Sequence, residues 1–325
     1  MNFSSDFLKN IQKDRQVSPY AYLFSICLLL VLLVSMPAVA SPSQTIKHAL
    51  GETVIKGQPV RVISLFQGAT DTLVALGIKP IGVVESWSEK PMYKYLRPAL
   101  TGVHYLGLET QPSLEDIALL KPDLIIASRF RNEKTYTLLS QIAPTIALEE
   151  VYEFRQTLKI VGQAVGRQQK ADLLLKQWDN RIIATRTKLK QQFGDKWPES
   201  VSLLEFREDH VRAYSPYSFS GSILSELGFK WSKGTANQQW ALQKLVNKES
   251  IPIINADNFF IFMRDKPAVQ KNYQQWTSHP LWKQMRAAQM KQVYQVDSVS
   301  WNLSGGILGA NKVLDEVNHT VTHAD

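Results

Sequence analysis

One stretch limits the folds open to this chain more than any other. Gln168 to Phe193 runs 26 residues without a glycine or a proline. Leu174, Leu175, Trp178, Ile182, Leu189 and Phe193 mark an apolar face on it at helical spacing. At 1.5 Å per residue such a helix is about 39 Å long. That is long for a helix within one lobe and suits a rod joining two, so residues 151–193 read as a linking segment.

On both sides of the rod, short β-branched runs alternate with helical patterns. Before it, Val60–Leu65, Ile78–Val84, Leu124–Ala127 and Thr145–Leu148 read as strands. Helices are read at Thr70–Gly77, from Ser113, and at Glu133–Ile142. After the rod, Val201–Phe206, Asn258–Met263 and Gln292–Val296 read as strands. Helices are read at Ser220–Leu227, Leu242–Lys248 and Ile307–Val317. Strands spaced by helices of this size build parallel sheets from βα units. The expected fold class is α/β: an N-terminal lobe over residues 41–150 and a C-terminal lobe over residues 194–325.

Residues 1–40 stand apart from both lobes. Lys9, Lys13 and Arg15 precede an apolar run from Ala21 to Val34, and small residues Ala38 and Ala40 follow it. This is the three-part pattern of a secretory signal peptide, with cleavage expected after Ala40 and a periplasmic product. The single cysteine, Cys27, lies within the run and leaves with it. What remains carries 34 basic and 27 acidic residues, a net charge of +7. No block of five like charges occurs, which points away from a nucleic-acid partner and leaves room for a cleft that holds an anion.

The motifs of catalysis and metal binding do not appear. The six histidines, His48, His104, His210, His279, His319 and His323, form no HxH or HExxH pattern, and no cysteine completes a zinc set. There is no GxSxG elbow, Walker loop or GxGxxG. Gly305-Gly306 ahead of the last helix reads equally as an anion-facing turn or a packing turn. The positive feature is a set of arginines and aromatics near strand ends: Arg129 and Arg131, Arg207, Arg212, Tyr214 and Tyr217, Arg264, Trp87 and Trp301. Ligands of open α/β sheets bind outside the carboxyl ends of the strands. Guanidinium groups gathered there would hold a polyanion, with aromatic faces against its apolar parts.

The stretch from Gln111 to Ile126, QPSLEDIALLKPDLII, resembles the helix-to-strand signature of the periplasmic substrate-binding proteins of iron–siderophore ABC importers, ferric citrate and hydroxamate types among them. Arg61–Leu65 with Thr70–Gly77, the IAPT at Ile142–Thr145, and Trp301 through Ala310 are similar to other segments of that family. The likeness covers roughly residues 58–318. It implies two Rossmann-like α/β lobes joined by a single long α-helix, with the ligand cleft between them. It further implies an Fe(III)–siderophore complex as ligand, an ABC permease and its ATPase as partners, a monomeric carrier, and no enzymatic cofactor or protein-bound metal.

The family meets its permease through an acidic residue on each lobe. In this chain Asp71 stands at the first position in place of the usual Glu. At the second, the family's Glu falls near Ser222, a departure, and Glu226 one turn later is the candidate. The alternative on the same fold is a haem or cobalamin carrier, for which Tyr214, Tyr217 or His104 would serve as an axial ligand to haem. A secreted enzyme or sensor domain is the alternative of another class.

Overall fold

A computed structural model describes residues 43–322. The leader, Cys27, the cleavage position after Ala40, and His323 lie outside the described residues. A hairpin of β1 (Ser43–His48) and β2 (Gly51–Lys56) precedes the first lobe. That lobe contains β3 (Val62–Ser64), α1 (Gln67–Ala75), β4 (Gly82–Glu85), β5 (His104–Leu108), β6 (Gln111–Pro112), α2 (Leu114–Leu119), β7 (Leu124–Ser128), α3 (Arg129–Asn132), α4 (Tyr136–Ile142) and β8 (Thr145–Leu148). Its sheet runs β6-β5-β4-β3-β7-β8, parallel except for β6. The order reverses beside β3, the position at which an open α/β sheet opens a crevice beyond its strand ends.

After α5 (Phe154–Ala164), the rod α6 spans Gln168–Phe193. It buries Ala171, Trp178, Ile182, Thr185 and Leu189. The second lobe holds β9 (Ser200–Phe206), β10 (Val211–Tyr214), α7 (Phe219–Leu227), β11 (Lys230–Trp231), β12 (Leu242–Leu245), β13 (Asn258–Met263), α8 (Pro267–Thr277) and β14 (Val293–Gln295). Its sheet is mixed. β13 runs parallel to β9 and β14, whereas β10 is antiparallel to β9 and β12.

Two elements here depart from the sequence expectation. Val211–Tyr214, which the sequence left unassigned, is a strand, and Leu242–Leu245 is a strand where a short helix was expected. A four-residue strand is too short for either periodicity to show, and pairing with a neighbour decides its state.

The last helix, α9 (Ile307–Thr322), packs on α7 and the rod but also on α1 and α5 of the first lobe. The range read as the second lobe thus ends in an element that both lobes share. One apolar cluster accordingly crosses the junction, joining Phe66 and Leu73 to Trp178, Phe219, Phe260, Trp301 and Leu314. Opening the lobes by a hinge would expose part of that cluster, at about 25 cal/mol for each Å² of apolar surface. Among the described residues no helix is long and apolar enough to cross a membrane.

Candidate functional site

The carboxyl ends of both sheets face a single cavity of about 510 Å³. From the first lobe, β3 leads into Gln67 and Gly68, β4 into Trp87, β5 into Glu109, and β7 into Phe130 and Arg131. The second lobe contributes Glu205 and Arg207 from the end of β9, Arg212 and Tyr214 from β10, and Arg264 after β13.

Pleating explains the second-lobe set. Arg212 lies opposite Glu205 in the antiparallel register, Tyr214 stands two residues further along β10, and Arg207 stands two residues after Glu205, just past the end of β9. All four side chains therefore share one face. Arg207 Nη1 donates to Glu205 Oε1 at 2.9 Å, and Arg212 Nη1 donates to Glu205 Oε2 at 3.3 Å. Tyr214 Oη donates to the same Oε2 at 2.8 Å. Burial, then the Glu205 charge, holds the Tyr214 phenol above its usual range. Burial alone would lower the Arg207 guanidinium, but its bond to Glu205 and that carboxylate's charge raise it on balance.

In the first lobe, Arg131 Nε donates to Glu109 Oε1 at 2.8 Å. Its guanidinium also lies 5.3 Å from the Trp87 ring centre and 4.7 Å from that of Phe130. Cations over aromatic faces at these distances are attracted to the ring quadrupole. Arg264 makes no ion pair among the described residues.

The structure gathers Trp87, Arg131, Arg207, Arg212, Tyr214 and Arg264 around the cavity and places the other three candidates elsewhere. Arg129 does not line this cavity: it pairs with Glu149 at an adjoining pocket that Phe130 and Arg131 also border. Tyr217 is 61% exposed and borders a neighbouring groove. Trp301 is buried and lies near-parallel to Phe260 at 4.9 Å, a core residue where the sequence suggested a ligand contact.

The two docking acids are also engaged within the chain. Asp71 is fully buried against the start of α9, which removes it from any external surface. Glu226 is half-buried, accepting from Trp178 Nε1 at 2.8 Å and Arg155 Nη1 at 3.3 Å. Ser222 borders the same groove as Glu226 and Tyr217.

Sequence reasoning missed Glu109, Glu205 and Gln67. Glu205 had a usable signal: the lone charged residue in β9, two residues before an arginine. Among the suggested haem ligands, Tyr214 is committed to Glu205, Tyr217 lies outside the cavity, and His104 begins β5 at the opposite end of the strand. Among the described residues no group of three or more His, Cys, Asp or Glu is placed to hold a metal ion.

Two α/β lobes joined by one long helix, with a basic, aromatic-lined cavity between their strand ends, define a solute-capturing binding protein. The match to the family model described as periplasmic binding protein spans residues 62–299, and the chain belongs to that family. It is 59% identical over 260 residues to the achromobactin-binding periplasmic protein of Dickeya dadantii, covering 80% of this chain and 85% of the relative. It is 37% identical over 289 residues to a probable siderophore-binding lipoprotein of Bacillus subtilis, covering 86% and 87%. The crystal structure of Staphylococcus aureus SirA complexed with staphyloferrin B superposes with a TM-score of 0.83 at 42% identity, covering 86% of this chain and 98% of that one.

Proposed function

We propose that this chain is the substrate-binding component of a ferric-siderophore ABC importer and that its ligand is an anionic iron chelate. One observation carries the reading: Arg131 from one lobe and Arg207, Arg212 and Arg264 from the other line a single cavity. Arginine is the side chain suited to planar carboxylate groups, which it binds through paired N–H donors. Trp87, Phe130, Tyr152 and Tyr214 supply the apolar wall. A siderophore that saturates its iron asks the protein for charge and shape, not for metal ligands. The names of the relatives, which bind achromobactin, siderophores and staphyloferrin B, support the same class.

The carrier works in the periplasm as a monomer after loss of residues 1–40. It catalyses no reaction and hands the chelate to a membrane permease driven by its ATPase. Tryptophan fluorescence of the purified full chain, titrated with ferric staphyloferrin B, ferric citrate, a neutral ferric tris-hydroxamate, ferric enterobactin, haemin and cyanocobalamin, tests this. Submicromolar quenching by an anionic ferric complex is expected. Quenching by haemin or cobalamin alone overturns it.

A further inference from the structure

A cavity that holds an anion has two carboxylates built into its wall. Glu109 is 3% exposed and Glu205 is 4% exposed. Glu109 takes its three hydrogen bonds from the segments that follow three different strands: Gln67 N at the start of α1 after β3 at 3.3 Å, Trp87 Nε1 after β4 at 3.3 Å, and Arg131 Nε in α3 after β7 at 2.8 Å. Glu109 itself follows β5, so one carboxylate ties together four neighbouring strand ends. Glu205 likewise holds three groups, the guanidiniums of Arg207 and Arg212 and the phenol of Tyr214.

These carboxylates oppose the ligand electrostatically. Coulomb's law alone ranks the cleft without them as the stronger anion site. Their geometric effect has the opposite sign. An arginine has long rotamer freedom to lose when it engages a ligand, and a guanidinium already fixed by a buried partner has less to lose. Each guanidinium has five N–H donors. These bonds occupy Nε of Arg131 and one Nη1 donor each on Arg207 and Arg212, and the other guanidinium donors make no hydrogen bond among the described residues.

We propose that Glu109 and Glu205 are positioning residues for capture: Glu109 fixes Arg131 and Glu205 fixes Arg207 and Arg212 before the ligand arrives, and this preorganisation outweighs the charge each adds. The proposal rests on the anionic-chelate reading above and refines it. The two explanations predict opposite signs. If only charge matters, removing a carboxylate from an anion site tightens binding. If positioning dominates, the same change weakens it.

The test uses the full chain carrying Glu109→Gln or Glu205→Gln, each a near-isostere that keeps an acceptor oxygen. Affinity for ferric staphyloferrin B is read by fluorescence quenching, with the thermal midpoint measured alongside. Each variant is expected to bind at least tenfold more weakly while still unfolding cooperatively. The double variant Glu205→Gln plus Arg207→Ala is expected to lose less than the product of the single losses, because Glu205 acts partly through Arg207. Glu205→Gln plus Arg264→Ala is expected to lose the full product, since Arg264 makes no ion pair among the described residues.

Equal or tighter binding by both glutamine variants, with wild-type binding intact, overturns the positioning role and leaves the chelate reading standing. A lowered midpoint with unchanged affinity also overturns it, marking the carboxylates as structural only. If the wild-type chain binds no ferric complex, the chelate reading falls and takes this inference with it. The glutamates lie in different lobes, so misfolding of one variant leaves the other to decide.

Discussion

Asp71 accepts a hydrogen bond from the backbone N–H of Leu308, 237 positions further along the chain, at 2.8 Å. Gly309 N donates to the same carboxylate at 3.0 Å and Tyr95 Oη at 2.7 Å. A side chain of the first lobe thereby caps the last helix, the element that both lobes share. The anion facing the N-terminus after Gly305-Gly306 is the protein's own. Gly306 has no room for a side chain because a Cβ there would fall 2.3 Å from Asp71 Oδ1.

Burial raises the Asp71 carboxyl to about 6, against three hydrogen bonds that lower it. A carboxyl raised on folding contributes most to stability when protonated in both states. That contribution is lost as pH rises from the unfolded value near 4 through about 6. The loss over this window is about 3 kcal/mol, at roughly 1.4 kcal/mol per pH unit. Urea denaturation between pH 4 and 7 is expected to show the decline, and Asp71→Asn is expected to remove this component. An unchanged pH profile in the variant would assign the decline to other groups.

The arginines divide by position. Arg207→Ala and Arg131→Ala each remove a charge-assisted donor from the cavity, and a loss of about 1.5–3 kcal/mol, or roughly 10- to 150-fold in affinity, is expected. Arg129 pairs with Glu149 outside the cavity and is 44% exposed, so Arg129→Ala is expected to bind within about twofold of wild type. Fluorescence titration with the ferric complex that the wild-type chain binds measures both. Equal losses at positions 129 and 131 would contradict the geometry.

The contrast between Arg129 and Arg131 shows what the sequence could and could not convey. The rod was legible to the residue, because 26 positions without glycine or proline leave one regular structure available. The strand ends were legible as places. Direction was not: of two arginines in one helical turn only Arg131 lines the cavity, and Trp301 faces inward from a short helical turn onto Phe260. Asp71 looked like a surface acid because nothing local says that α9, more than 200 residues away, returns to cover its helix. Contacts of that range follow from the packing of both lobes, not from any window of sequence.

Backbone closeness at the cleft floor yields a stability prediction. A Cβ on Gly68 would meet the Gly305 carbonyl oxygen at 2.5 Å and that of Val151 at 3.0 Å. Both obstacles are backbone, so Gly68→Ala is expected to cost about 1–3 kcal/mol through overpacking. The segments that must move line the cavity, so ligand affinity is expected to fall as well. Chemical denaturation and titration of the same preparation test the pair of effects, and a stable variant with full affinity would show that the floor yields easily.

Trp301 separates core from cleft. Its ring lies against Phe260, and its Nε1 donates to Glu316 at 2.6 Å. Trp301→Phe keeps most of the packing but removes the donor, leaving Glu316 with the Asp297 N–H. A loss of about 1 kcal/mol is expected for removing a hydrogen bond to the half-buried Glu316 carboxylate, and about 3–5 kcal/mol for Trp301→Ala, which also opens a cavity. Burial already raises the Glu316 carboxyl, and the Trp301 bond is the first influence that lowers it. Without that bond the folded-state value rises further, while the unfolded value stays put. The penalty of Trp301→Phe should therefore be small in acid, where Glu316 is protonated in both states, and grow as pH rises through its folded-state value. Denaturation at pH 4 and pH 7 reads this difference directly. Affinity for the ferric complex is expected to stay within about twofold of wild type, because hydrogen bonds made outside the cavity contribute little to ligand contact energy. A penalty independent of pH would mean that the indole serves the core by shape alone.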